Sequence, residues 1–128
     1  MKLLLDTHIL LWAVQGNSKL SPRAAQLINA PANELYFSAA SIWEIAIKNG
    51  ATRSGVGIDT ERMRRLLLLN GYNELPITSA HGLAVENLPP IHRDPFDRLL
   101  FAQATLESML LLTVDQNLIQ YGPPVVAA

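Results

Sequence analysis

Two leucine runs constrain this chain more than any other feature: "KLLLD" at 2–6 and "LLLTVD" at 110–115. Neither alternates apolar with polar residues, so neither suits a sheet with one wet face. A short unbroken apolar run is the mark of a strand covered on both sides, and such strands belong to parallel sheets flanked by helices. Each run also stops on an aspartate, which puts a carboxyl group at the carboxyl end of a buried strand. In open α/β sheets that edge is where ligands bind.

The segments between these runs fit the same plan. "THILLWAV" reads as a helix stopped near Gly16-Asn17, and "SPRAAQLINA" as a helix with Ser21 as N-cap and Pro22 at its first position. "ELYFS" (34–38) is expected as a strand, and "SIWEIAIKNG" as a helix ended by Asn49-Gly50. "GATRSGVG" (50–57) reads as a loop, "DTERMRRLLLLNG" (59–71) as a helix capped by Asp59, "ELPIT" (74–78) as a short strand and "SAHGLAVENL" as a helix. "PPIHR" is a loop before a helix running from the "DPFD" segment to about Met109; the strand at 110–114, a helical turn and a tail with Pro123-Pro124 follow. Strands alternating with helices predict helices on both faces of a mostly parallel sheet. With 128 residues and no repeat or linker, residues 1–128 are expected to form a single domain.

Composition narrows the function classes. Apolar residues make up 49% of the chain and charged residues 16%, so part of the apolar surface is expected to meet another chain. A net charge of −1 sets up no global attraction for nucleic acid or membrane, and polyanion binding must use a local patch. No run approaches the roughly 18 apolar residues of a membrane helix. "MKLLLDTHILLWAVQG" resembles a leader only superficially, because Asp6 and His8 interrupt it and no small-residue cleavage site follows. The absence of cysteine excludes disulfides and thiolate metal sites. A cytoplasmic protein without membrane contact is expected.

Four acids are expected at the carboxyl edge. Asp6 and Asp115 end strands, Glu44 follows the 34–38 strand, and Asp97 sits one turn into the helix that leads to the 110–114 strand. Carboxylates gathered at one point raise one another's pKa unless cations neutralise them. An all-oxygen cluster suits Mg²⁺ or Mn²⁺, and the chemistry natural to such ions is phosphodiester hydrolysis by an activated water. A plainer reading stands beside this one. Ser41 with Glu44, and Asp94 with Asp97, have capping-box spacing, and Asp6 and Asp115 are each placed to cap a helix. Taken singly, each acid fits a cap better; their shared edge brings a metal site level with the capping reading and leaves both open.

The segments "LLLDTHILLW", "SAASIWEIAIK", "LPIT", "HRDPFDRLLFAQA" and "LLLTVDQNL" together resemble the PIN-domain ribonucleases, specifically the VapC-type toxins of toxin–antitoxin pairs. They occur in family order across nearly the whole chain. The resemblance implies a three-layer α/β/α sandwich and a Mg²⁺-dependent endoribonuclease, with Mn²⁺ able to substitute and one or two ions bound. It implies that Asp6 and Asp97 are the main direct ligands, that Glu44 and Asp115 complete the pocket, and that Thr7 and Ser41 support it. Asp94 fits the "DPFD" pattern outside the four-acid core. Asn117 stands where a further acid is often found, which leaves the second ion in question. The implied partners are RNA, a cognate VapB-type antitoxin covering an apolar groove beside the first helices, and a second copy in a homodimer or larger assembly.

Other residues divide between plain and functional roles. Lys48, four residues after Glu44, fits a helical ion pair. His92, Arg93 and Arg98 flank the acids and are candidates for RNA phosphates, whereas Arg62, Arg64 and Arg65 read as a solvated face. His8 and His81 are expected to be structural, and Trp12 and Trp43 to anchor the core or an interface. The competing class is a PIN fold that has lost catalysis and serves as an interaction module; failure to bind Mn²⁺ would distinguish it.

Overall fold

The computed structural model describes residues 1–51 and 57–128, and the expectation for the "GATRSGVG" loop falls largely outside them. In chain order the elements are β1 (Lys2–Leu5), α1 (Thr7–Gln15), α2 (Pro22–Asn29), β2 (Glu34–Ser38), α3 (Ala39–Ala51), α4 (Thr60–Leu69), β3 (Asn73–Leu75), α5 (Ser79–Val85), α6 (Pro95–Leu106), β4 (Leu110–Thr113), α7 (Gln116–Ile119) and β5 (Val125–Ala127). Among the described residues the strands form one sheet in the order β3-β2-β1-β4-β5, and every neighbouring pair is parallel. The expected "mostly parallel" sheet is therefore wholly parallel there.

The leucine runs behave as their composition requires. Leu3, Leu4 and Leu5 are all fully buried, yet they serve different layers. Leu3 and Leu5 join Ile9, Leu10, Phe37, Met63 and Leu67 on one face. Leu4 joins Leu100, Phe101, Ala104 and Leu111 on the other. Successive side chains of a strand point to opposite faces. An uninterrupted leucine run thus supplies two cores at once, each buried leucine contributing roughly 1.5–3 kcal/mol.

Sheet order creates the crevice. The chain moves outward from β1 to β2 to β3 and then returns to the other side of β1 to lay down β4 and β5. Strand order reverses between β1 and β4, and ligands bind at the carboxyl ends of strands beside such a reversal. Leu5 pairs in register with Leu112, so Asp6 comes opposite Thr113 and its backbone N–H donates to Leu112 O at 3.1 Å.

Several boundaries differ from expectation, each for a physical reason. Helix α3 begins at Ala39 rather than Ser41, because the Ser38 hydroxyl accepts from Ala40 N–H at 3.0 Å and starts the helix directly off the strand. Ser41 and Glu44 are consequently not a capping box. The same helix continues through Asn49 and Gly50 to Ala51. Asn49 does not end it and instead reaches Ile58 O and Thr60 Oγ1 at 3.1 and 2.9 Å. Helix α5 closes at Val85, well short of Leu88, while α6 closes at Leu106 and Ser108 turns the chain with φ 55°. Strand β3 is Asn73–Leu75 rather than 74–78, and β4 stops at Thr113. The tail holds a strand, β5, whose pairing with β4 becomes visible only in three dimensions.

Candidate metal centre

The site is built from the ends of elements. Asp6 leaves β1 and caps α1, its Oδ1 accepting from Ile9 N–H at 2.9 Å. Its other oxygen, Oδ2, accepts from the Thr113 hydroxyl across the strand pair. Asp115 leaves β4 and caps α7, with Oδ1 accepting from Asn117 and Leu118 N–H at 2.9 and 3.0 Å. Asp94 caps α6 by accepting from Phe96 and Asp97 N–H at 2.8 and 3.3 Å, and Pro95 occupies the first helical position. That leaves the Asp97 carboxyl one turn in, free of capping duty. The capping and metal readings of Asp6 and Asp115 turn out to be compatible, because a carboxylate has two oxygens with several acceptor positions.

Glu44 arrives from the first turns of α3. Thr7 Oγ1 lies 2.7 Å from Glu44 Oε1 and 2.9 Å from Ser41 Oγ. The carboxylate can only accept, so Thr7 donates to Glu44 and accepts from Ser41. All three side chains are buried. On its outer side Glu44 Oε2 pairs with Lys48 Nζ at 2.9 Å, the helical pair anticipated from spacing. Thr7 and Ser41 therefore orient one acid and do not stand free in the pocket.

The charges of Asp6, Glu44 and Asp115 all bear on Asp97, while the ligand-type atoms within 4.8 Å of one another belong to His92, Asp97 and Asp115. Burial pushes the Asp97 carboxyl up to about 8, and Asp94, Asp6, Asp115 and Glu44 push in the same direction. Burial also raises Asp6, opposed by its hydrogen bonds from Ile9 and Thr113 and by nearby His8, with Asp115 adding to the rise. Acids drawn from residues 6 to 115 thus bear on the Asp97 carboxyl. Such a point needs a proton or a cation. The donors present are hard oxygens, which fits Mg²⁺ or Mn²⁺.

Two features escaped sequence reasoning. Thr113 bonds Asp6, and only the β1–β4 register could have paired residues so far apart. His92, considered for RNA phosphates, is instead buried against the acids, with Nε2 2.9 Å from Asp97 Oδ2 and 3.2 Å from Asp115 Oδ1. His92, Asp97 and Asp115 each bring one atom within 4.8 Å of the others. The loop carrying His92 is pinned by Tyr121, whose hydroxyl accepts from His92 N–H at 3.2 Å and donates to Pro89 O at 2.8 Å. Arg98 ties this loop to the end of α5, donating to His92 O and Val85 O at 3.2 and 3.0 Å. Arg93 is exposed beside it, and Asn117 is exposed on α7. His81 is structural as expected, closing a capping box with Thr78 and meeting Glu107 at 2.9 Å.

Comparison with known proteins agrees with this architecture. The family model described as the PIN domain matches residues 3–122. Among solved structures, VapBC2 from Rickettsia felis bound to a DNA fragment from its promoter is similar with a TM-score of 0.71 at 13% identity, covering 100% of this chain and 98% of that one. A toxin–antitoxin complex from Klebsiella pneumoniae gives 0.64 at 22% identity, with 96% and 94% covered. VapBC-1 from nontypeable Haemophilus influenzae gives 0.64 at 18%, with 100% and 97% covered. A search of curated proteins finds no match.

Proposed function

Since this chain belongs to the PIN domain family, we propose that it is a Mg²⁺-dependent endoribonuclease and the toxin half of a toxin–antitoxin pair. The observation that carries the reading is the gathering of Asp97 with Asp115 and His92, where burial and neighbouring acids push the Asp97 carboxyl up to about 8. A folded chain that tolerates such repulsion gains most when a divalent cation relieves it. Asp6, Glu44, Asp97 and Asp115 would hold that cation, which when bound supplies an activated water and charge stabilisation at a phosphodiester. The chain's own part is orientation. Thr7 fixes one Glu44 oxygen and Lys48 the other, while Thr113 and Ile9 fix Asp6. Exposed Arg93 is placed to meet an RNA phosphate at the rim.

The partner proposal rests on an open cavity of about 600 Å³ between α1, α2 and α4, lined by Val14, Leu20, Ile28, Leu66, Leu67 and Tyr72. An apolar segment of an antitoxin fits such a groove, and the solved neighbours include toxin–antitoxin complexes. The test of the nuclease reading is RNA cleavage by the purified chain with Mg²⁺ or Mn²⁺. Asp97→Asn and excess chelator are each expected to reduce cleavage at least ~100-fold, the order of loss seen when a principal charge-stabilising group is removed. Full activity in either condition would refute the mechanism.

A further inference from the structure

His92 carries a constraint that decides its role. Its Nδ1 accepts a hydrogen bond from Asp94 N–H at 3.0 Å. A backbone amide can only donate, so Nδ1 bears no proton and the proton of the neutral ring is on Nε2. Nε2 is the nitrogen that lies 2.9 Å from Asp97 Oδ2 and 3.2 Å from Asp115 Oδ1. It is buried and within reach of both oxygens, but makes a single well-directed hydrogen bond to neither, as befits a donor shared between two acceptors. An unsatisfied buried polar atom costs roughly 1–3 kcal/mol.

The arrangement looks at first like a mixed histidine–carboxylate metal site. The Asp94 amide argues otherwise. A ligating histidine presents a bare nitrogen to the metal and donates its other ring N–H to an acceptor. Here the outer nitrogen meets a donor, so the inner one keeps its hydrogen.

We propose that His92 is a positioning residue: its Nε2–H, fixed in that tautomer by the Asp94 backbone, is the shared donor that holds one oxygen each of Asp97 and Asp115 and leaves their remaining oxygens to the cation. The inference rests on the metal reading above and adds a consequence to it. The same amide that donates to Nδ1 belongs to the residue that caps α6, so the helix start sets the tautomer and keeps nitrogen out of the ligand set. The donor set stays all-oxygen, which preserves the preference for a hard cation.

Long-range ¹H–¹⁵N correlation on ¹⁵N-histidine-labelled full-length protein tests this directly, metal-free and with Mg²⁺. The expected signature is a bare Nδ1 and a protonated Nε2 in both states. A bare Nε2 in the Mg²⁺-loaded protein would mean ligation and would overturn the proposal, as would a protonated Nδ1 in the metal-free protein. Calorimetry with Mn²⁺ gives a second reading. His92→Leu is expected to lose roughly 10–100-fold in affinity, the usual effect of removing an orienting partner, and His92→Gln, which keeps an N–H donor, to recover most of it. Equal affinity in His92→Leu and the native chain would overturn the proposal; should His92→Leu not fold, the native spectra decide. If the native chain binds no Mn²⁺ at all, the metal reading fails, and the metal-free spectrum separates that failure from one at His92.

Discussion

At the scale of single residues, two of the candidate carboxylates are already bound into the fold. Asp6 spends one oxygen on Ile9 and the other on Thr113, while Asp115 uses Oδ1 for the α7 cap. Asp97 caps no helix, its Oδ2 lies 2.9 Å from His92 Nε2, and its carboxyl is the one pushed up to about 8. The sign of the linked stability change follows. A carboxyl whose folded pKa lies above its unfolded value favours the fold below pH 4, and that contribution is lost as pH rises through about 8. Asp6 shifts in the same direction. Metal-free protein is therefore expected to lose stability between about pH 4 and pH 8, by roughly 2 kcal/mol after solvent screening. Asp97→Asn should remove most of that slope, and saturating Mg²⁺ should flatten it in the native chain. Chemical denaturation at several pH values, with chelator and with Mg²⁺, checks both; an unchanged slope in Asp97→Asn would contradict the assignment.

At the scale of elements, α6 shows a division of labour within a single turn. Asp94 and Pro95 start the helix, and Asp97 meets His92 and Asp115. Asn caps about as well as Asp, so Asp94→Asn should leave the melting temperature nearly unchanged, while Asp94→Ala should cost about 1 kcal/mol. Neither should lower Mn²⁺ affinity as far as Asp97→Asn. Paired melting curves and calorimetry separate the two roles, and equal loss of affinity in Asp94→Asn and Asp97→Asn would merge them. Helix α3 teaches the opposite lesson. Its start at Ala39 makes Ser41 and Glu44 interior residues of the first turns, so their spacing serves a bond network with Thr7 and not a cap. Cap spacing is a local signal, and it misleads wherever a strand runs straight into a helix.

For the molecule as a whole, two separate surfaces emerge. The acid cluster lies at the carboxyl edge of the sheet, and the apolar groove lies among α1, α2 and α4. A substitution in the groove should therefore affect a partner without affecting chemistry. Leu66→Glu, at an exposed groove position, is expected to weaken capture of the proposed antitoxin at least ~10-fold while leaving the proposed Mg²⁺-dependent cleavage within about 2-fold, because a buried unpaired charge is costly only where it is covered. Co-purification and cleavage assays on the same preparation measure both. Loss of cleavage in that variant would tie the groove to the active edge and refute their independence.

What the sequence by itself determined was whatever depends on a few neighbouring residues. The unbroken leucine runs required two-faced burial, Ser21-Pro22 and Asp94-Pro95 marked helix starts, and the aspartates ending two strands pointed to one edge of a parallel sheet. The tertiary structure decided everything that depends on register and loop path. It set Thr113 against Asp6, paired the tail as β5, and folded the loop before α6 so that His92 reaches Asp97 and Asp115. The reason is physical. Burial and capping are settled by local backbone geometry, whereas the meeting of residues 92, 97 and 115 depends on how parallel strands align across crossovers that carry no pattern of their own.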